Sequence, residues 1–552
     1  MKDNLLIKWD TTAEYNEYPE NINRIFCYYN LAERKNFIKW IKLISFKFRD
    51  DLDWWVSPPA SRNPYFSNLY KNICIIKTLS KLSKKKCLPN LVVVDSQSLK
   101  KTITIIFHKK NFKVKVKKNL IFKLNFINNI KAISIYLIQF LIIKLFTSKK
   151  KILNKNLILI DTYIINPVLK EKTYYGELGS YIKNKKNVFF VPTIIKKNIY
   201  EFISILKNLN NTKNYLFKES FLTTSDFLYS VFYIFRKYKF IQKFKKYQSY
   251  DLSLIINDEI SNNKDLYSIL ISLTNFRFVK RLKKNDFIIN KVVNWFENQS
   301  MDKGWNFGFR TFYHKTELIG YQGFTAYPEY MCLSPTKFEE ESNVIPKKIV
   351  SISKSYNNLR KEFFPNLNII TGPALRFSSL FNKRIIKNKK FDVTIFLEGA
   401  SKKRDLKIVS NFIRINKHFT HLSFFIKSHP ILPIDFNVIK LPKNFYVLNY
   451  QFPQIAAKTN VAICYGSSST TLEALSYDCK LIIPFDNLLD RKNLQYLKVD
   501  KQLYRICSND QMLINSINYF IKNDNKNTPK KNSGIKSILF NKITKKNIKI
   551  LI

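Results

Sequence analysis

Short apolar runs that end in polar residues recur along this chain, and helical sequence separates most of them. In the first half they include Leu91–Val94, Leu157–Asp161 and Val188–Val191. Continuous runs rich in β-branched residues are typical of strands that are buried on both faces of a parallel sheet. Because parallel strands need long connections, usually helices, the pattern predicts an α/β protein with helices on both faces of its sheets.

The alternation of strand and helix is more regular in the second half of the chain. Seven runs predict strands there, within residues 347–353, 366–372, 391–399, 422–430, 445–450, 460–469 and 480–486. The chain has 552 residues, which is enough for two or three domains. We therefore expect two doubly wound domains, each with its ligand site at the carboxyl ends of the strands.

A Pro-containing segment, residues 325–346, separates the two halves, and we place the domain boundary near residue 340. The expected organisation is a first domain over residues 1–340, a second over 341–520 and a mobile basic tail over 521–552. Lys-rich and apolar sequence interrupts the first pattern at about 105–155, and we interpret it as an insertion in the first domain.

The insertion contains the apolar run Ala132–Phe146, which three lysines at 149–151 follow. The run is shorter than the roughly 20 apolar residues that cross a bilayer, and it carries Gln139 and Lys144. The sequence leaves two structures open, a buried helix and a helix that lies in the membrane interface.

The formal net charge of +54 indicates anionic partners. Lys dominates over Arg, and the chain contains no helix-turn-helix, zinc-finger or RNA-recognition signature, so we expect no nucleic acid partner. An anionic membrane surface or an acidic sugar-phosphate substrate agrees better with the charge. The alternative is a general drift toward Lys, Asn and Ile, which are abundant throughout the chain.

The seven cysteines are scattered and never spaced as CxxC or with His at metal-ligand intervals, so we expect reduced thiols and no metal site. The amino-terminal sequence MKDNLLIKWD does not follow the pattern of an export signal. These features predict a cytoplasmic protein.

The strongest local motif is VAICYGSSSTTLEALSYDCKLIIPFD, residues 461–486, which predicts strand, Gly-Ser loop, helix and strand. Gly466 lets the chain approach a ligand closely, and the serines bring donors to the positive end of the following helix, where a phosphate binds. Glu473 in the first turn can accept ribose hydroxyls, although Thr470 and Glu473 can also form a capping box. The donor-binding candidates of this motif are Gly466, Ser467, Ser468, Ser469, Thr470 and Glu473.

This motif resembles the carboxyl-terminal domain of GT-B type glycosyltransferases, particularly bacterial transferases of capsule, O-antigen and lipopolysaccharide synthesis. In those families a small-residue loop and a helix with a Glu bind the donor nucleotide. The resemblance covers 461–486 closely and 345–520 only as architecture. It implies two Rossmann-like domains and a nucleotide-sugar donor.

A second motif, K-x-H-P, closes a predicted strand with Lys427, His429 and Pro430. A His held at a strand end can donate to a phosphate, and Lys427 adds positive charge. Together with the Ser-rich loop, the motif resembles those of bacterial sialyltransferases, capsular Kdo transferases and polyol-phosphate transferases. The alternative is a structural His.

Two carboxylates are candidates for the catalytic base. Glu297 lies in WFENQSMDKGWNFGFR, which with IGYQGF resembles a segment of surface-carbohydrate biosynthesis proteins. Inversion at an anomeric carbon needs a base for the acceptor hydroxyl, so Glu297 is the first choice and a first-turn helix carboxylate is its alternative. Glu398 ends another predicted strand and resembles the acidic-Gly element of the sialyltransferases, but Leu397 replaces the first acid.

The acceptor side of the expected cleft is assigned to four polar residues. The resemblance implies that Asn298, Arg310 and Gln322 meet there with Glu297, and Arg62 of DWWVSPPASRNPYFS joins them. That family often has a His after the Gln, where this chain has Gly323.

The function implied is a metal-independent glycosyltransferase that needs no cofactor and takes a nucleotide sugar and a carbohydrate or lipid-linked acceptor. The chain lacks a P-loop, GxGxxG, HExxH, GxSxG and a suitably placed DxD. A polyol-phosphate or sugar-phosphate transferase and a non-catalytic assembly protein of surface polysaccharides are the alternatives.

Overall fold

The computed structural model describes residues 7–13, 17–117, 121–147, 156–165, 171–182, 186–195, 198–212, 214–262, 265–325, 330–382, 389–399, 402–430, 432–465, 469–484, 494, 497, 499–523 and 533–552. The strands are β1 (Lys8–Asp10), β2 (Leu91–Val94), β3 (Lys113–Val116), β4 (Leu157–Ile164), β5 (Val188–Ile194), β6 (Ile289–Trp295), β7 (Glu317–Gln322), β8 (Lys348–Ser351), β9 (Ile369–Thr371), β10 (Phe391–Phe396), β11 (Phe424–Lys427), β12 (Phe445–Val447), β13 (Thr459–Cys464), β14 (Lys480–Pro484) and β15 (Tyr504–Cys507). The helices are α1 (Glu20–Ala32), α2 (Arg34–Ser45), α3 (Leu52–Trp55), α4 (Pro58–Ser61), α5 (Leu69–Lys84), α6 (Gln97–Ile106), α7 (Ile121–Phe146), α8 (Lys172–Tyr175), α9 (Leu178–Ile182), α10 (Ile199–Asn210), α11 (Thr224–Val231), α12 (Tyr233–Arg236), α13 (Ser253–Asn262), α14 (Leu266–Lys284), α15 (Ser300–Phe312), α16 (Lys337–Glu341), α17 (Lys354–Arg360), α18 (Ser379–Asn382), α19 (Lys402–Ile415), α20 (Phe452–Ala456), α21 (Ser469–Ser476), α22 (Asp510–Lys522), α23 (Ser533–Leu539) and α24 (Lys545–Ile548).

Two six-stranded parallel sheets form the bulk of the fold. The N-terminal sheet has the order β5-β4-β6-β7-β8-β9, and the C-terminal sheet has the order β12-β11-β10-β13-β14-β15. Strands β4 and β13 are almost completely buried, as expected where helices cover both faces of a sheet. The prediction of an α/β protein with two Rossmann-like, doubly wound domains is confirmed.

The boundary between the two sheets lies further along the chain than the sequence indicates. Strand β8 pairs with β7, so that Gln322 is opposite Ser351, and β9 pairs with β8. Both strands therefore belong to the N-terminal sheet, and the predicted boundary near residue 340 is wrong. The segment 325–346 looks like a linker because of its prolines, but Met331 and Phe338 within it are buried against the first domain.

The predicted strand Leu91–Val94 exists but belongs to neither large sheet. It is the central strand of a separate three-stranded parallel sheet with the order β1-β2-β3. This sheet has its own core, which includes Trp9, Phe26, Ile73 and Val92. An apolar run predicts a buried strand, but the strand's partners depend on tertiary contacts that the run does not encode.

The expected insertion at about 105–155 is not one unit. It contributes β3 to the small sheet and the helix α7 to the first large domain. One face of α7 packs on the protein through Tyr136 and Phe140, whose rings contact the ring of Phe227. Within the described residues, α7 is the helix that is long and apolar enough to cross a membrane, over Ile127–Phe146, with 22% of the window buried. The helix α7 begins at Ile121 and is therefore longer than the apolar run Ala132–Phe146, which by itself is too short to cross a membrane.

The end of the chain does not form the mobile tail that its polar composition predicts. Residues 524–532 lie outside the described part, but α23 and α24 follow them, and Leu539, Phe540 and Leu551 are completely buried. The backbone N–H of Asn541 donates to the carbonyl oxygen of Ile352 at 2.7 Å. The prediction for 521–552 is therefore wrong over 533–552, because a few well-spaced apolar side chains are enough to dock a Lys- and Asn-rich segment.

The two large sheets are joined by a continuous core. Val293 and Tyr321 of the N-terminal sheet belong to the same cluster of buried side chains as Ala462 and Leu481 of the C-terminal sheet. The two sheets therefore pack against each other through buried side chains.

Candidate functional site

Each large sheet reverses its strand order once. The reversal lies between β4 and β6 in the N-terminal sheet and between β10 and β13 in the C-terminal sheet. Loops leave the neighbouring strands in opposite directions at such a point and open a crevice that ligands occupy. Glu297 follows β6, Glu398 follows β10, and α21 follows β13. Three of the predicted motifs therefore lie at the two reversal points.

The Glu297 carboxylate is held by two neighbouring side chains. Trp295 Nε1 donates to one carboxylate oxygen at 2.7 Å, and the Gln299 amide donates to the other. Burial raises the pKa of Glu297 above its ordinary value, while Trp295, Arg376 and Arg360 oppose that shift. A raised pKa makes a carboxylate a better proton acceptor at neutral pH.

The alternative role of Glu297 as a helix-capping carboxylate is filled by another residue. Asp302, at the third position of α15, forms the capping box with Gln299 and accepts from the backbone N–H of Glu297 at 3.0 Å. Burial raises the pKa of Asp302 to about 8. Capping therefore does not account for the Glu297 side chain.

Glu473 faces the same region from the C-terminal sheet. The helix α21 begins at Ser469, and the Ser469 hydroxyl, rather than that of Thr470, hydrogen bonds to Glu473. Burial raises the pKa of Glu473 to about 7, with Arg376 and Ser469 opposing the rise. Gly466, Ser467 and Ser468 lie outside the described residues, and their contacts with a ligand remain predictions.

Arg376 lies within electrostatic reach of both carboxylates. Its positive charge opposes the raised pKa of Glu297 and also that of Glu473. The side chain is exposed and follows β9 in a short turn, which Tyr321 fixes by donating to the Pro373 carbonyl at 2.7 Å and accepting from the Leu375 N–H at 3.1 Å. One guanidinium thus interacts with carboxylates from both sheets, and we call the region that these three side chains share the cleft.

A second arginine, Arg360, lies near Glu297 but inside the protein. It is 2% exposed, its Nε and Nη2 atoms have no hydrogen-bond partner, and its guanidinium lies 5.5 Å from the ring centre of Phe324. Burial lowers the pKa of Arg360 to about 9, an effect that Cys332, Tyr356 and Glu297 oppose.

His429 packs directly on the loop that follows β10. Gly399 has φ of 70°, and a Cβ atom there would lie 2.4 Å from His429 Cγ, so only glycine fits. The Gly399 N–H donates to the Asp405 carboxylate at 3.1 Å. Burial lowers the pKa of His429, and Asp405 opposes that shift. The imidazole predicted from the K-x-H-P motif is therefore fixed at the reversal point of the C-terminal sheet, one strand end from α21.

Glu398 and Lys427 lie at the same edge of the sheet. Arg404 Nε lies 3.2 Å from a Glu398 oxygen, so this carboxylate already has a basic partner. Lys427 ends β11 opposite Phe396 of β10. The role of Glu398 as a base and that of Lys427 in phosphate binding remain predictions.

Arg62 and Asn298 do not line the cleft. Arg62 forms an ion pair with Glu339 at 2.6 Å, in which both side chains are 2% exposed. The Asn298 amide donates to the Cys332 carbonyl at 2.8 Å and to Glu339 at 3.1 Å, and Lys303 bonds to both Asn298 and Glu339. The prediction of acceptor contacts is wrong for both, because segment 330–346 folds over them.

Arg310 and Gln322 also serve the structure. Arg310 donates to Asn343 at 3.0 and 2.7 Å, which holds the turn after α16. Gln322 is completely buried, and its amide donates to the Leu333 carbonyl at 3.2 Å. The four predicted acceptor residues are therefore not brought together at the cleft.

The cleft residues that the sequence did not indicate are Arg360, Arg376 and Asp405. Arg376 could have been found, since the Gly372-Pro373 pair ends a predicted strand and a basic residue follows shortly. Arg360 and Asp405 lie within helices and carry no local signal. Among the described residues, no group of three His, Cys, Asp or Glu side chains could hold a metal ion.

No protein-family model and no curated protein matches the chain. Similar solved structures include the UDP-GlcNAc 2-epimerase from Neisseria meningitidis bound to UDP-GlcNAc, which is 12% identical, with 72% of this chain and 98% of that chain covered and a TM-score of 0.39. A glycosyltransferase from Rickettsia africae is 12% identical, with coverage of 72% and 98% and a TM-score of 0.39. MurG from Acinetobacter baumannii is 10% identical, with coverage of 70% and 99% and a TM-score of 0.35. Likenesses at these TM-scores carry no argument about the activity or substrates of this chain.

The buried pair of Arg62 and Glu339 gives a prediction for stability. In Glu339→Gln, Arg62 and Lys303 lose their carboxylate partner inside the protein, and the free energy of unfolding at neutral pH should fall by about 3 to 5 kcal/mol. Although burial acts the other way, Arg62 and Lys303 lower the pKa of Glu339 from 4.5 to about 2. A carboxylate whose pKa is lowered by folding stabilises the folded protein at pH values above its ordinary pKa. The wild type should therefore lose this contribution as the pH falls from about 4.5 to about 2, and the variant should not.

Urea unfolding at a series of pH values measures the effect. Glu341→Gln, at an exposed position two residues away, is the control and should change the free energy of unfolding by less than about 0.5 kcal/mol. Equal stability of Glu339→Gln and the control would show that the buried pair is not formed.

Proposed function

We propose that this protein is a metal-independent glycosyltransferase that moves a sugar from a nucleotide-sugar donor to a surface polysaccharide or a lipid-linked acceptor. One observation carries the proposal: Glu297, which follows β6 of the N-terminal sheet, and Glu473, on α21 after β13 of the C-terminal sheet, both interact electrostatically with Arg376. A transfer reaction needs a base for the acceptor and a separate site for the donor, and the two sheets supply one each.

The donor site belongs to the C-terminal sheet. The amino-terminal end of α21 and the side chains of Lys427 and His429 offer positive charge and donors to the donor phosphates. The Glu473 carboxylate accepts hydrogen bonds from the ribose hydroxyls. No step of this binding requires a cation, because the phosphate charge meets the helix amino terminus, Lys427 and Arg376.

The chemical step uses Glu297 as the base. The acceptor hydroxyl loses its proton to the Glu297 carboxylate while its oxygen forms a bond to the anomeric carbon, and the bond from that carbon to the phosphate oxygen breaks. The electron pair of that bond leaves with the nucleotide, whose negative charge Arg376 stabilises. The raised pKa of Glu297, which burial causes, favours the proton transfer.

Donor binding is tested by thermal stability in the presence of CMP, CDP, UDP, GDP and ADP, because a ligand that binds the folded state raises the melting temperature. One of these nucleotides should stabilise the wild type, and His429→Ala and Glu473→Gln should lose that effect. Since burial raises the pKa of Glu473 to about 7 and a ribose hydroxyl needs the ionised carboxylate, affinity should fall by about tenfold per pH unit below about 7.

Glu20→Gln, at an exposed ion pair of α1, is the control and should keep both the shift and its pH dependence. A wild type that no nucleotide stabilises would contradict the transferase and favour a non-catalytic assembly protein. Transfer of a phosphoryl-linked unit instead of the sugar would favour the sugar-phosphate transferase.

The two candidate bases are separated by matched amide substitutions. Glu297→Gln keeps the size of the side chain but cannot take a proton, so kcat should fall by about 100-fold to 10,000-fold with nucleotide affinity preserved. Glu398→Gln should keep most of kcat, since Arg404 already pairs with Glu398. Product formation is measured with the donor that the nucleotide screen selects. A larger loss of kcat in Glu398→Gln than in Glu297→Gln would identify Glu398 as the base.

We also propose that α7 attaches the protein to the inner, anionic face of the cytoplasmic membrane. Large apolar side chains on the face of α7 opposite to Tyr136 and Phe140 are exposed, namely Ile130, Leu137, Ile138, Leu141 and Leu145. Ile130, Leu137, Leu141 and Leu145 follow one another at intervals of seven, four and four residues, and Ile138 is next to Leu137, so the five side chains form one stripe along the helix. The net charge of +54 favours anionic lipids over neutral ones. Because Tyr136 and Phe140 pack on Phe227, the helix lies on the surface instead of being surrounded by lipid.

Membrane attachment predicts co-sedimentation of the protein with vesicles that contain phosphatidylserine. Each buried Leu contributes roughly 1.5 to 3 kcal/mol, so Leu141→Glu should weaken vesicle binding about tenfold or more. Leu254→Glu, at a similarly exposed Leu on α13, is the matched control and should bind like the wild type. Equal binding of both variants would contradict the role of α7.

A further inference from the structure

Arg360 is a buried cation whose hydrogen-bonding groups are not used. It is the last residue of α17 and 2% exposed, and its Nε and Nη2 atoms have no hydrogen-bond partner. None of the ion pairs among the described residues includes it. The contact with the Phe324 ring does not replace the hydrogen bonds that Nε and Nη2 lose on burial, so this guanidinium destabilises the protein. Such a residue calls for a ligand as its partner.

Two other arginines of this chain use the same edge of the guanidinium, formed by Nε and Nη2, to bind a carboxylate. The same two atoms of Arg34 bind the Glu362 carboxylate at 2.7 and 2.6 Å, and those of Arg236 bind the Asp53 carboxylate at 2.8 and 2.9 Å. The edge formed by Nε and Nη2 is a fork that matches two oxygens of one anionic group. Arg360 therefore presents a fork for a carboxylate or a phosphate.

The surroundings of Arg360 place this fork at the catalytic end of the cleft. The charge of Glu297 acts on Arg360, although no ion pair joins them. The hydroxyl of Tyr356, one turn earlier on α17, is also buried without a partner. Tyr356 interacts electrostatically with both Arg360 and Glu473. Arg360 and Tyr356 thus have three unused donor positions, and each residue interacts electrostatically with a carboxylate of the cleft, Arg360 with Glu297 and Tyr356 with Glu473.

The side of the cleft indicates which substrate supplies the anion. Helix α17 follows β8 and belongs to the N-terminal sheet, on the side of Glu297, whereas the proposed phosphate contacts Lys427 and His429 belong to the C-terminal sheet. The group that meets Arg360 is therefore distinct from the donor phosphates and belongs to the molecule whose hydroxyl Glu297 deprotonates.

We infer that Arg360 and Tyr356 bind a small anionic group of the acceptor, a carboxylate or a phosphate monoester, and so select an acidic acceptor sugar. The inference rests on the proposed function, which supplies the acceptor. The strongly basic character of the whole chain favours the approach of such a substrate.

The experiment combines binding and heat stability. Isothermal titration calorimetry measures binding of glucuronate, glucose 1-phosphate and neutral glucose to the wild type and to Arg360→Met at constant ionic strength. At least one of the two anions should bind the wild type and glucose should not, and the variant should bind that anion at least about tenfold more weakly. Tighter binding of glucuronate would identify the anion as a carboxylate, and tighter binding of glucose 1-phosphate would identify it as a phosphate.

The sign of the stability change separates a ligand-binding arginine from a structural one. Arg360→Met removes an unpartnered buried charge, so the free variant should melt at a higher temperature than the wild type. Arg236→Met is the matched control, in which the Asp53 carboxylate loses its fork, and this variant should melt at a lower temperature and keep anion binding. If Arg360→Met does not fold, Arg360→Lys keeps the charge without the fork and should also weaken anion binding.

Unchanged anion binding in Arg360→Met, or no anion binding in the wild type, would overturn the inference. The nucleotide screen is run on the same samples. If a nucleotide stabilises the protein but no anion binds, the proposed transferase function is supported and only the anion site at Arg360 is contradicted. Anion binding through Arg360 without any nucleotide effect contradicts the transferase and leaves Arg360 as an anion receptor.

Discussion

Parallel pairing of the strands is the constraint on which the rest of this structure depends. Since all carboxyl ends in a parallel sheet point to one edge, the loops after β4 and β6 leave the N-terminal sheet together, and the loops after β10 and β13 leave the C-terminal sheet together. The reversal of strand order then opens a crevice in each sheet at the point where these loops begin. The sheets share one core, and Arg376 interacts electrostatically with Glu297 of one sheet and Glu473 of the other, so that residues distant in sequence lie in one region.

Electrostatics divides the polar residues near the cleft into two groups. Arg62, Lys303, Asn298 and Glu339 hydrogen bond to one another inside the first domain, so their polar groups have partners without any ligand. The cleft group differs, because Glu297 and Glu473 have raised pKa values that burial causes, and Arg360 is buried without a partner. Polar groups that the protein itself leaves unsatisfied are the ones expected to meet a substrate.

The same contrast explains why the acceptor side was assigned to the wrong residues. A motif shows which polar side chains are close in sequence, but it does not show which of them a later segment will cover. Residues 330–346 fold back over Arg62 and Asn298 and give them internal partners. Arg376 reaches the cleft instead, from a turn after β9 that the misplaced domain boundary had assigned to the second domain.

Local sequence determined the strands, the α/β class, the positions of Glu297 and His429 after strand ends, and that of Glu473 on the helix after β13. Apolar runs and strand-end motifs are short-range patterns that neighbouring residues encode. Only the tertiary structure decided the domain boundary, the separate sheet around β2, the docking of residues 533–552 and the burial of Arg62. It also decided that Arg376 interacts with two carboxylates, whereas the Nε and Nη2 atoms of Arg360 have no hydrogen-bond partner. These features depend on contacts between segments far apart in the chain, and pairing between distant segments leaves no local pattern.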